Sequence, residues 1–199
     1  MKLLIIRHGE SEDDLINAYG GWADFPLTEK GASQVSQTAT KLKTLNIPLD
    51  IILSSPLKRA TSSAEILAKT LNKKMEIFEY IKERNTYGLL CGMVKSDAKQ
   101  KYPWLVEALD NGQFVDGSER EEDIKNRVKK AYELITKMSY ENVAIVTHGV
   151  FMKYFISEVL GKKLLKKEDA GFIYIELTND ANGIISKVEI VNSDGIEIQ

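Results

Sequence analysis

Of 199 residues only one is cysteine, Cys91. A single thiol excludes an internal disulfide and any metal site built on several cysteines. Histidine is nearly as rare, with two in the chain, and proline occurs four times. Among 27 basic residues only five are arginine: Arg7, Arg59, Arg84, Arg120 and Arg127. No apolar run approaches the roughly 20 residues that a bilayer-spanning helix needs. Charge of one sign does not dominate either. The formal net charge is −2, which points to neither nucleic acid nor an anionic membrane as a partner. An anionic ligand would have to be drawn by local positive charge. The apolar run behind Met1-Lys2 is short and no cleavage-site pattern follows it, so a cytoplasmic protein is expected. The length fits one domain, or one domain with an inserted cap.

The two scarce histidines share one local context. His8 closes Leu3-Leu4-Ile5-Ile6-Arg7-His8-Gly9, and His148 closes Val143-Ala144-Ile145-Val146-Thr147-His148-Gly149. Each time an apolar run ends, one polar residue follows, then His, then Gly. A buried strand that delivers an imidazole at its carboxyl end is a recurrent way to build a site in an open α/β sheet. Two such deliveries predict one site holding both histidines.

Leu3–Ile6, Ile51–Leu53 and Val143–Val146 read as central strands covered on both faces. Helical spacing runs from Thr28 to about Leu45 through Val35, Ala39 and Leu42, and is ended by Asn46 and Pro48. A second helix is expected to begin at Pro56, with Ala60, Ala64, Leu67 and Leu71 on one face. A third covers about 118–138, where Ser118 and Glu121 have capping-box spacing. A fourth runs from His148 to about Leu160 and stops at Gly161. This alternation predicts an α/β fold, a three-layer α/β/α sandwich around a mostly parallel sheet. Phe172–Leu177 and Ile184–Val191 flank a turn-rich stretch, 179–183, and predict an antiparallel C-terminal edge. Residues 83–117 are less regular and contain Gly88, Gly92, Pro103, Gly112 and Gly117. They are expected to form a small inserted cap within a single domain spanning 1–199.

The arginines sharpen this. Arg7 adjoins His8, and Arg59 lies in Ser54-Ser55-Pro56-Leu57-Lys58-Arg59-Ala60, just after another strand. A planar, permanently charged fork suits bidentate phosphate binding better than lysine does. The placement predicts a phosphate pocket.

Arg7-His8-Gly9-Glu10-Ser11, the Ser-Ser-Pro-Leu-x-Arg-Ala run, Glu83 before Tyr87-Gly88, and His148-Gly149 together resemble the histidine phosphatase superfamily, which includes cofactor-dependent phosphoglycerate mutase. The resemblance implies that His8 is a nucleophile carrying a phosphohistidine, with Arg7, Arg59 and His148 binding phosphate oxygens. Glu83 would be the proton donor and later the base for water. Gly149 would let backbone approach the phosphate. No metal and no other cofactor is implied, and the partner would be a small phosphorylated metabolite. Asn17, Gly20 and Gly21 resemble the mutase loop after its first histidine, and Tyr87 and Lys95 resemble its substrate loop. The attacking imidazole must be neutral, so its other nitrogen should donate to a fixed acceptor such as a backbone carbonyl.

Several positions depart from the mutase pattern. Asp14 stands where the family places a phosphate-contacting Asn, and Val150 follows Gly149 where mutases have Asn. Asn85-Thr86 makes the spacing from Glu83-Arg84 to Tyr87-Gly88 one residue longer. No arginine lies between Arg84 and Arg120, where mutases carry an Arg pair. A cap with fewer cations should lose a phosphorylated intermediate to water. The expectation is therefore a metal-independent phosphatase of small phosphomonoesters, with a phosphoglycerate mutase as the alternative. A non-catalytic phosphate-binding module is the third reading. Oligomeric state stays open, since the C-terminal hairpin offers an edge and a monomer fits equally.

Overall fold

A computed structural model describes residues 1–179 and 185–199. The strands are β1 (Lys2–Arg7), β2 (Ile51–Ser54), β3 (Met75–Ile77), β4 (Asn142–Thr147), β5 (Leu164–Asn179) and β6 (Ile185–Ile198). They form a six-stranded sheet in the order β3-β2-β4-β1-β5-β6. The pairs β3/β2, β2/β4 and β4/β1 are parallel, while β1/β5 and β5/β6 are antiparallel. The mostly parallel sheet with an antiparallel C-terminal edge is thus as the pattern predicts.

The helices are α1 (Glu12–Leu15), α2 (Glu29–Thr44), α3 (Lys58–Leu71), α4 (Lys95–Lys101), α5 (Pro103–Asp110), α6 (Glu121–Thr136) and α7 (Gly149–Glu158). Alternate residues of the central strands enter two separate cores. Leu3, Ile5, Val143 and Ile145 pack with Ile124 and Val128 of α6 and Phe151 and Phe155 of α7. Leu4, Ile6, Ala144 and Val146 pack with Val35 and Ala39 of α2 and Ala60 and Ala64 of α3. Burial on both faces is why these strands read as unbroken apolar runs.

Several boundaries differ from the sequence expectation. The third helix begins at Glu121, with Arg120 in the cap position and no side-chain cap. The capping box from Ser118 does not form, because Ser118 N bonds to Val115 O in the turn that carries Gly117. The helix after β2 begins at Lys58, two residues beyond Pro56. The short strand β3 has no apolar-run signature, since two of its three residues are exposed. Both hairpin strands extend well past the apolar segments, and positions 180–184 lie outside the described residues. The irregular stretch holds α4 and α5, which gather Tyr19, Leu90, Ala98 and Val106 into a third, smaller cluster. Among the described residues no helix is long and apolar enough to cross a membrane.

Candidate active site

The adjacent parallel strands β2, β4 and β1 end side by side. Ser55 N donates to Val146 O and His8 N to Thr147 O, both at 3.0 Å. The residues just past the three strand ends therefore meet, and the rings of His8 and His148 lie 4.9 Å apart. His8 sits at the floor of a cleft of about 210 Å³, and His148 is buried behind it.

Each imidazole has one nitrogen assigned by its surroundings. His8 Nδ1 donates to Gly9 O at 2.7 Å, which leaves Nε2 as an unprotonated nitrogen. Burial, then the charges of Arg59 and Arg7, hold His8 well below its ordinary pKa of 6.5. His148 Nε2 pairs with Ser55 Oγ at 2.7 Å, while its buried Nδ1 meets no protein partner. Burial, followed by the charge of Arg59, also holds His148 well below 6.5. A Ser55 hydroxyl donating to Nε2 would place the His148 proton on the buried Nδ1.

Two arginines border the same floor. Arg59 is 2% exposed and donates to Gly21 O at 2.7 Å and Ala23 O at 2.8 Å, tying the loop after α1 to α3. Arg7 NH1 lies 2.9 Å from Asp169 Oδ1, within ion-pair distance but out of line for a hydrogen bond. Its Nε is buried without a protein partner.

Glu83 faces the start of α7. Its Oε1 accepts from Arg84 N at 2.8 Å and Phe151 N at 2.9 Å, and its Oε2 from Val150 N at 3.2 Å. His148, the cap residue of α7, supplies no side-chain cap, and the Glu83 carboxylate takes that place from a distant part of the chain. Oε2, with one long bond, keeps a lone pair for a proton.

Gly9 answers a packing demand as well as the approach of a ligand. A Cβ on Gly9 would lie 2.4 Å from Gly31 O, and one on Gly31 would lie 2.0 Å from Glu10 O. The His8 loop and the first turn of α2 thus interlock backbone to backbone. Glu10 completes that joint by accepting from Thr28 Oγ1 at 2.9 Å and Lys30 Nζ at 2.6 Å.

The cleft is bordered by Arg7, His8, Gly20, Gly21, Arg59, Glu83, Tyr87, Lys95 and Gly149. His148 lies beneath, fully buried against His8. Asn17 is the exception among the expected residues. It is exposed, adopts φ +52 and accepts Lys95 N at its carbonyl, so it holds the Lys95 backbone and does not line the cleft. Asp14 does line it, with Oδ2 accepting from Ser11 N at 3.2 Å. Asp13 and Lys167 are bordering residues that the motifs did not indicate. Lys167 comes from the antiparallel strand β5, in a lysine-rich run that reads as surface. Its Nζ would meet a Cβ on Gly149 at 2.7 Å. Crowding by protein atoms, then Arg7, lowers its pKa although the side chain reaches solvent. Ser55 was within the quoted Ser-Ser-Pro run, but only the pairing of β2 with β4 puts it on His148. Among the described residues no group of three or more His, Cys, Asp or Glu side chains is arranged to hold a metal ion.

The chain is 34% identical over 176 residues to phosphoserine phosphatase 1 of Hydrogenobacter thermophilus, covering 83% of this chain and 79% of that one. It is 27% identical over 201 residues to the 2,3-bisphosphoglycerate-dependent phosphoglycerate mutase of Bartonella henselae, covering 95% and 97%. The fold matches the α-ribazole phosphatase of Shigella flexneri with a TM-score of 0.80 at 21% identity, over 98% and 96% of the two chains. The family profile of the histidine phosphatase superfamily (branch 1) matches residues 3–181. That span takes in both His-Gly strand ends, Arg59 and Glu83, and the chain belongs to the histidine phosphatase superfamily.

Proposed function

We propose that the protein hydrolyses small phosphomonoesters through a phosphohistidine on His8. The observation that carries this reading is the adjoining pair of buried imidazoles, with His8 Nδ1 engaged by Gly9 O and Nε2 left for attack. In the first step His8 Nε2 forms a bond to phosphorus as the ester P–O bond breaks. The leaving oxygen takes the proton of Glu83. Water then attacks phosphorus, the P–N bond breaks, and the Glu83 carboxylate takes a proton from that water as inorganic phosphate forms. Arg7, Arg59 and the Nδ1–H of His148 stabilise charge spread over the non-bridging oxygens. Residues 83–117 act as the cap that reads the alcohol portion.

Hydrolysis is favoured over mutase chemistry by the cations available to a second phosphate. Arg84 reaches the cleft, but three of its five N–H donors go to Glu119 O and Tyr154 Oη. The cap thus has few free charges with which to keep a bisphosphate away from water. The mutase remains the second reading because Tyr87 and Lys95 border the cleft. The name of the Hydrogenobacter thermophilus relative makes O-phosphoserine the first ester to try. A hydrolysis screen of phosphorylated metabolites with chelator present, run beside a phosphoglycerate mutase assay, tests the reading. Phosphate release abolished by His8→Ala is expected. Interconversion of phosphoglycerates with little phosphate release would establish the mutase, and loss of activity with chelator would end the metal-free mechanism.

A further inference from the structure

Four consecutive carbonyls, Tyr80 to Glu83, each accept a hydrogen bond from a side chain. Arg127 NH1 donates to Tyr80 O at 3.0 Å and Lys82 O at 2.7 Å, and its NH2 donates to Glu83 O at 3.1 Å. Thr147 Oγ1 donates to Ile81 O at 2.7 Å, and Trp22 Nε1 adds a bond to Glu83 O at 2.6 Å. The two remaining Arg127 donors, on Nε and NH2, engage Glu119 Oε1 and Oε2 at 2.8 Å each. All five guanidinium N–H groups are therefore spent. The pair is largely shielded, with side-chain exposures of 17% for Arg127 and 10% for Glu119. A rigid fork of donors fixes its acceptors relative to one another in a way a flexible ammonium does not.

We propose that Arg127, oriented by Glu119, is a positioning residue that sets Glu83 for proton transfer. The inference rests on Glu83 being the proton donor to the leaving oxygen. The amides of α7 hold the carboxylate end of Glu83, and Arg127 holds its backbone end. A displacement of about 1 Å at a catalytic group costs on the order of 100-fold in rate.

The test compares kcat/KM for p-nitrophenyl phosphate and for an alkyl phosphate that the enzyme hydrolyses. This parameter reports the step in which the P–O bond breaks. Nitrophenolate departs without a proton, whereas an alkoxide needs one. Arg127→Lys is expected to lose about 30-fold on the alkyl ester and less than about 3-fold on the nitrophenyl ester. Glu83→Gln should show the same split, and inhibition by inorganic phosphate should be unchanged in Arg127→Lys. The double variant Arg127→Met/Glu119→Gln leaves no buried unpaired charge and should reproduce the split if Arg127→Lys does not fold. Equal losses on both esters, or no loss, in the folded Arg127 variant would overturn the positioning role while a split in Glu83→Gln leaves the proton donor standing. Absence of that split in Glu83→Gln would overturn the donor assignment itself.

Discussion

His8 and His148 have the same residue type, similar burial and adjoining positions, yet the protein engages opposite nitrogens of the two rings. A carbonyl accepts from Nδ1 of His8, and a hydroxyl faces Nε2 of His148. One ring thus offers a lone pair and the other a donor. Ser55→Ala removes the hydroxyl that fixes the second arrangement, so kcat/KM should fall about 10-fold, with weaker inhibition by phosphate. An unchanged phosphate inhibition constant would argue that His148 keeps its tautomer without Ser55. Lys167 borders the same cleft. Among the described residues its ammonium has no ion-pair partner, and it sits beside Gly149 and Arg7. Lys167→Met should raise KM for phosphomonoesters about 3- to 10-fold, and Lys167→Arg should restore most of the loss. Steady-state kinetics on one ester checks both variants. The Ser-Ser-Pro run included Ser55 without pointing to His148 as its partner, and a lysine among lysines carries no local pattern.

At the scale of the element, helix starts are where local pattern and long-range contact compete. Thr28 caps α2 by accepting Gly31 N at 2.9 Å, as its sequence position predicts. The helix α7 has no such residue and takes the Glu83 carboxylate, supplied by a segment outside any regular element. Glu83→Ala should therefore lower stability by about 1 kcal/mol, while Glu83→Gln retains a capping oxygen and most of that stability. Chemical denaturation separates the two variants, and both should lose turnover on alkyl esters. The capping-box spacing at Ser118 failed for a related reason. Glu119 is drawn to Arg127 and its carbonyl to Arg84, so the chain enters α6 only at Glu121. Spacing records what a helix end can do alone and is silent about a competing tertiary partner.

Across the whole molecule, burying two neutral imidazoles links stability to pH. Both histidines have folded-state pKa values well below 6.5, so below about pH 6.5 the unfolded chain binds protons that the folded chain does not. Stability should be fully present above that value and fall as pH drops through it. The slope should approach about 1.4 kcal/mol per pH unit for each histidine. Melting temperatures from pH 8 to pH 5 should show this decline, and a His8→Asn/His148→Asn variant should flatten it. A wild-type profile that stays level to pH 5 would contradict the neutral buried pair.

Local pattern alone was enough for every strand except β3, for the four longest helices α2, α3, α6 and α7, and for the histidines and arginines proposed to carry the chemistry. Continuous apolar runs have to be buried on both faces, and a rare histidine placed twice after such a run is informative without any partner. Tertiary structure decided which atoms of those residues are free to act. The order β2-β4-β1 puts Ser55 on His148, the return of β5 puts Lys167 over Gly149, and α6 grips the Glu83 segment through Arg127. Proton placement, charge balance and carboxylate orientation depend on groups that meet only when distant segments pack. A local pattern cannot record them.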